Sequence, residues 1–196
     1  MIFNQNKSLT LIELILAITL VGVIILGINS INIFSHYQVI SSDRRAKLQN
    51  DLSYCLDHIT KEGLRAIGNE KVFGLNSAVN VSGSRLSFFI DGNKNGRIDG
   101  VNTSTGATGD YWIRYSLASN QLSYCSTCTT ATSCSNCSVL SNKITAFTPF
   151  KSANFSSGTY IDVAITGRWD PGSAVSADNP EASMRSTIQL PSVSSQ

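Results

Sequence analysis

From Leu9 to Ile28 the chain reads LTLIELILAITLVGVIILGI, twenty residues with one charged side chain, Glu13. As a helix rising ~1.5 Å per residue this run is about 30 Å long, the thickness of a hydrocarbon core. In lipid a helix satisfies every backbone group internally, so the run is predicted to be a single membrane-spanning helix. A secretory signal peptide has a different order, with an apolar stretch of about 7–15 residues followed by a small-residue cleavage site. Here the small residue, Ser8, comes before the apolar run and directly after Lys7. A cut at that point leaves the apolar helix on the mature chain.

Glu13 needs a partner. A carboxylate on a spanning helix costs ~2.5–3.5 kcal/mol on insertion scales, and such residues are normally paired and functional. Lys7-Ser8-Leu9 followed by Thr10-Leu-Ile-Glu13-Leu14 resembles the leader and helix start of type IV pilins and type II secretion pseudopilins. In that family a short polar leader ends in Lys/Arg-Gly and is cut ahead of a pattern like FTLIEL; this chain has Ser8 for the Gly and Leu9 for the Phe. The resemblance implies a leader over residues 1–8, cleavage by a prepilin peptidase between Ser8 and Leu9, and N-methylation of the new amino terminus. The amine of Leu9 would then be the positive partner of Glu13, on its own or a neighbouring subunit. It further implies a single-pass protein of the bacterial inner membrane, with an extracytoplasmic domain, that engages an inner-membrane assembly platform and other pilin or pseudopilin subunits.

Composition fits an exported, anchored chain. The net charge is +2, and charged residues make up 14% of the 196 positions. That balance argues against nucleic acid, which requires a basic face. Orientation from Lys/Arg counting is ambiguous, because Arg44, Arg45 and Lys47 follow the span while Lys7 precedes it.

No proline interrupts residues 9–68, so the helix is expected to continue beyond the membrane over 29–69. Leu48, Leu52, Cys55, Ile59 and Ala66 fall near 3–4 spacing, one buried stripe. Gly63 lies on that stripe, and Gly68-Asn69 is the expected stop. The whole helix would be ~90 Å long at 1.5 Å per residue. Beyond it strand patterns take over: Ala78–Val81 and Arg85–Ile90 around Ser-Gly-Ser, Tyr111–Leu117 and Gln121–Tyr124 around Ala118-Ser119-Asn120, then Lys143–Phe147, Tyr160–Ile165 and Thr187–Leu190. Pro149, Pro171 and Pro180 are assigned to connections. The expected fold is α+β: a long N-terminal helix whose second half packs on a mostly antiparallel β-rich domain over 70–190, with a polar tail over 191–196. The order WIRYSL, NQLSYC, VLSNKITAFTPF and a late strand is similar to PilW-type minor pilins and J-type minor pseudopilins. This resemblance implies a subunit that starts or tips a filament.

A second motif is DGNKNGRIDG, Asp91 to Gly100. Asp91, Asn93, Asn95 and Asp99 occupy positions 1, 3, 5 and 9 of a calcium loop, Gly96 supplies the sharp turn, and Arg97 offers its carbonyl at position 7. Position 12 is Asn102 rather than a bidentate Glu, so the loop resembles the DxNxNGxxD loops of dockerins and pilus-associated proteins more than an EF-hand. With two carboxylates, calcium affinity is expected to be weak. The alternative is an Asn/Gly-rich turn, which favours the same residues for backbone geometry.

Cys125-x2-Cys128-x5-Cys134-x2-Cys137 is symmetric about Ala131. A hairpin with its tip there faces Cys125 with Cys137 and Cys128 with Cys134, and outside the cytoplasm disulfides are the default. Nested bridges are the favoured reading, with a staggered pairing and a metal site as alternatives; the five-residue gap is short for a zinc ribbon and no His is nearby. Cys55 is left over on the buried stripe, expected as a small core residue. No catalytic function is expected: His36 and His58 belong to no HExxH or nucleophile-elbow pattern, and Trp112 and Trp169 read as packing residues. A membrane-tethered, calcium-dependent adhesin or binding domain is the second functional reading.

Overall fold

A computed structural model of the chain describes residues 10–66, 79–92, 109–151 and 160–190. Among these the elements run α1 (Leu11–Gly63), β1 (Val79–Val81), β2 (Arg85–Ile90), β3 (Tyr111–Ala118), β4 (Gln121–Cys128), β5 (Cys137–Ser141), β6 (Ile144–Lys151), β7 (Tyr160–Arg168) and β8 (Glu181–Gln189). The class is α+β, as the patterning predicts. The chain divides into two units, residues 1–42 and 43–196. The leader residues, the Gly68-Asn69 stop and the tail lie outside the described residues.

In the first unit α1 has no cover. Every side chain from Leu11 to Val39 is exposed. The polar side chains turn back on the helix itself: Thr19 donates to the Leu16 carbonyl at 2.9 Å, Asn29 to that of Ile25 at 3.0 Å and Ser30 to that of Leu26 at 2.9 Å.

In the second unit the helix becomes amphipathic. Leu48, Leu52, Cys55, Leu56 and Ile59 are buried, together with residues from both sheets. The sheet expected as one is two, both antiparallel: a five-stranded sheet in the order β1-β2-β3-β4-β5 and a three-stranded sheet in the order β6-β7-β8. Leu86, Phe88, Ile90, Ile113, Tyr115 and Leu122 of the larger sheet and Ile161, Val163, Ile165 and Ile188 of the smaller share one core with the helix. Two glycines lie in close contact with their neighbours. A Cβ on Gly63 would lie 3.1 Å from Ile188 Cγ2 and 3.2 Å from Phe88 Cζ, and one on Gly167 would lie 2.9 Å from Leu52 Cδ2 and 3.0 Å from the Lys143 carbonyl.

Two boundaries differ from the sequence expectation. The helix ends at Gly63, ahead of Gly68, because Arg65 and Ala66 close tight turns on the carbonyls of Glu62 and Gly63, at 3.1 Å each, and Ala66 bridges to Ile90. Pro149, expected in a connection, lies within β6 opposite Val163. β6 is the first strand of its sheet, and an edge strand is where a residue without an N–H is tolerated. The β3–β4 turn places Ser119 and Asn120 at φ 48° and 61°, the double left-handed geometry of a two-residue hairpin.

Candidate functional site: an apolar helix start, a loop base and a disulfide cap

The start of α1 brings Thr10 and Glu13 together. Thr10 precedes the helix, its carbonyl accepts from the backbone N–H groups of Glu13 at 3.1 Å and Leu14 at 3.2 Å, and its hydroxyl donates to the Glu13 carboxylate at 3.5 Å. Thr-x-x-Glu ahead of an apolar run is a capping-box signature, legible in the sequence alongside the leader pattern. An acid in the first turn also faces the positive end of the helix dipole. Lys7, Ser8 and Leu9 lie outside the described residues, while Thr10 and Glu13 are brought together. α1 is long and apolar enough to cross a membrane, the one such helix among the described residues, which is consistent with a single-pass membrane protein.

Of the loop beginning at Asp91, the described residues form the base. Ile90 pairs with Tyr111, so β2 and β3 bracket the excursion. Gly92 and Gly109 meet there, a Cβ on Gly92 colliding with the Gly109 carbonyl, and the Gly92 N–H donates to the Asp110 carboxylate at 3.3 Å. Asp110 is fully buried, and nothing in its local sequence marks it. Asn93, Asn95, Arg97 and Asp99 lie outside the described residues; among the described residues no cluster of three metal-ligating side chains occurs.

The four clustered cysteines form nested disulfides, Cys125–Cys137 and Cys128–Cys134. Their common orientation comes from a bulge. Trp112 and Arg114 of β3 face Cys128 and Cys125 of β4, two residues against a span of one more. The extra residue turns Cys128 to the same face as Cys125. On that face, away from α1, Phe89, Trp112, Cys125, Cys128 and Ala131 make a second small core. The loop between the cysteines lies over it, held by Ser87 donating to the Ala131 carbonyl at 2.9 Å and Arg114 donating to the Thr132 carbonyl at 2.7 Å. Phe89 and Trp112 stack edge to face at 5.2 Å. This cover explains why β2 is buried on both faces after Arg85 instead of alternating.

A polar seam fastens α1 to the larger sheet. The Tyr115 hydroxyl sits 2.8 Å from Nδ1 of His58 and donates to the His58 carbonyl at 3.3 Å, while Tyr124 packs edge-on to the His58 ring at 4.7 Å. Glu62 pairs with Arg65 at 2.7 Å, and Arg65 donates to the Tyr111 hydroxyl at 3.2 Å. Burial pushes the phenols up: Tyr115 well above its ordinary value, with Tyr124 and Glu62 adding to the effect, and Tyr124 to about 12, with Glu62 and Tyr111 adding. Cys55, the free cysteine among the described residues, is buried beside them, and burial followed by Asp51 pushes its thiol up to about 12. A thiol so held stays protonated and unreactive. Trp112 is a core residue, while Trp169 is half-buried under the Lys143 ammonium at 3.8 Å.

Set against protein-family models, curated proteins and solved structures, the chain matches none.

Proposed function

We propose that this chain is a minor subunit of the type IV pilin and type II secretion pseudopilin class, one that helps initiate or cap a filament. The observation that carries the reading is the Thr10–Glu13 helix start at the head of a fully uncovered apolar helix, which then becomes the core element of an α+β domain. In this reading the prepilin peptidase removes residues 1–8, and the freed amine of Leu9 neutralises Glu13 as the helix moves from lipid into contact with neighbouring subunits. The uncovered surface from Leu11 to Val39 is what lipid and then neighbouring helices bury. No catalytic role is assigned to the chain.

Glu13→Gln tests this directly. Gln keeps the shape and an acceptor for the Thr10 hydroxyl but removes the charge. Loss of incorporation into filaments, with normal membrane insertion and folding, is the expected result; incorporation equal to the natural chain overturns the reading. The intact mass of membrane-extracted protein should show loss of residues 1–8 and methylation at Leu9.

A second reading, a calcium-dependent binding or adhesin domain on the same anchor, is favoured by the loop base. Asp91 opens the loop, and the buried Asp110 carboxylate closes it within hydrogen-bond reach of Gly92. Calcium there would draw on Asp91, Asn93, Asn95, Asp99 and the Arg97 carbonyl, and would stabilise the folded chain by mass action. Asp91→Ala should abolish a calcium-dependent rise in melting temperature; an equal rise in both proteins makes the loop a turn.

A further inference from the structure

The four disulfide-bonded cysteines are not equivalent. Cys125 and Cys128 belong to the small core under the cap, at 0% and 4% exposure, whereas Cys137 is exposed and Cys134 half-exposed. The cap itself brings little apolar surface. Between Cys128 and Cys134 it contributes Ala131, and the rest is Thr129, Thr130, Thr132 and Ser133 bonded largely to one another, as in Ser133 N–H to Thr130 Oγ1 at 2.9 Å. Beneath it lie Phe89 and Trp112, among the largest buried side chains of the domain. Two covalent bridges and two hydrogen bonds from Ser87 and Arg114 therefore keep a polar cover on an apolar face.

We propose that the cap is a redox-gated cover, opened by thiol–disulfide exchange that begins at Cys137 and that uncovers the Phe89–Trp112 face. Exchange proceeds by attack of a thiolate on a disulfide sulfur, and of the two residues in the outer bridge Cys137 is the exposed one. The attacking thiolate forms a bond to Cys137 Sγ, the Cys125–Cys137 bond breaks, and Cys125 leaves as a thiolate that takes up a proton. With a dithiol reductant, its second thiol then displaces Cys137, so that the reductant ends as a disulfide and both cysteines as thiols. The inner bridge follows through Cys134 once the outer one has opened. The partner class is a dithiol oxidoreductase or a small dithiol of the extracytoplasmic space.

The test uses the full chain in detergent. Limiting glutathione followed by alkylation and peptide mass mapping should find the first mixed disulfide on Cys137 with Cys125 alkylated; a first adduct on Cys125, Cys128 or Cys134 overturns the order. In Trp169→Phe, where Trp112 is the remaining tryptophan, full reduction by dithiothreitol should raise acrylamide quenching severalfold with the far-UV spectrum unchanged. Hydrogen exchange over residues 127–135 of the unmodified chain should rise in parallel. Unchanged quenching and exchange after both bridges are reduced, or loss of the far-UV spectrum with them, overturns the gate.

Discussion

The two halves of α1 are both rich in apolar side chains and dispose of them in opposite ways. From Leu11 to Val39 apolar residues occur on all sides, and none is covered by the chain. From Leu48 to Ile59 they fall on one stripe, at intervals of four, three and four, and that stripe is fully buried. A helix apolar all round finds no cover in a small domain and needs lipid or other helices; a striped one needs a single sheet-lined groove. One continuous element thus serves two environments, and the change is encoded in periodicity rather than in any break of the backbone.

The contrast can be broken most sharply by truncation. Leu52→Ala should destabilise the domain by about 2–5 kcal/mol, the usual cost of a core cavity, whereas Leu20→Ala should leave the denaturation midpoint of the detergent-solubilised chain within ~0.5 kcal/mol. Equal losses would mean that the first half is packed after all. Glycine gives the next largest difference. Gly167→Ala forces a methyl against Leu52 and the Lys143 carbonyl, at an expected cost of ~1–3 kcal/mol; a Cβ on Gly22 or Gly27 meets nothing within 4 Å, so either alanine there should leave domain stability unchanged. Tyr115→Phe removes the hydroxyl that joins the sheet to His58 and should cost ~0.5–1.5 kcal/mol in the same denaturation assay.

The smallest effect at ordinary pH is a slope above it. Cys55, Tyr115 and Tyr124 hold their protons more tightly in the folded state, so between the ordinary and the raised values the native state binds more protons and stability falls as pH rises. Stability should be level below about pH 9, the ordinary thiol value, and decline towards about 12. Cys55→Ala should move the onset up towards the ordinary phenol value of 10.0. A domain equally stable at pH 8 and 11 would place these groups in water rather than in the helix–sheet seam.

Much of the fold is legible from residue patterns because its signals are local. The apolar run, the stripe of Leu48, Leu52, Cys55 and Ile59, the hairpin turns at Gly83 and Ser119-Asn120, and the cysteine symmetry about Ala131 each depend on near neighbours. Features set by distant partners are not legible in this way. β8 alternates along its length, with Ala182, Met184 and Ser186 half-buried and Ile188 buried, but Ala and Ser lend that alternation little apolar contrast, so its N-terminal part escapes a sequence reading. The helix ends at Gly63 as the chain turns to bridge Ala66 with Ile90, a partner outside any ten-residue window. Pro149 reads as a linker until its strand is known to be at a sheet edge. At the candidate sites the Thr10-x-x-Glu13 pattern stands in the sequence itself, whereas the burial of Asp110 depends on distant partners.

The bulge in β4 has a wider consequence. In a regular strand, positions three apart point in opposite directions, so a C-x-x-C on this sheet would send one sulfur into the leucine-lined interior and leave one bridge unmade. The added residue repairs the parity. Removing Ser126 should therefore leave the pairing intact, since a regular Cys-x-Cys keeps both sulfurs on one face. An added residue between Trp112 and Arg114, which makes the ladder regular opposite Cys-x-x-Cys, should instead set the two cysteine pairs at odds, so that oxidation produces a mixture of isomers where the natural spacing yields one.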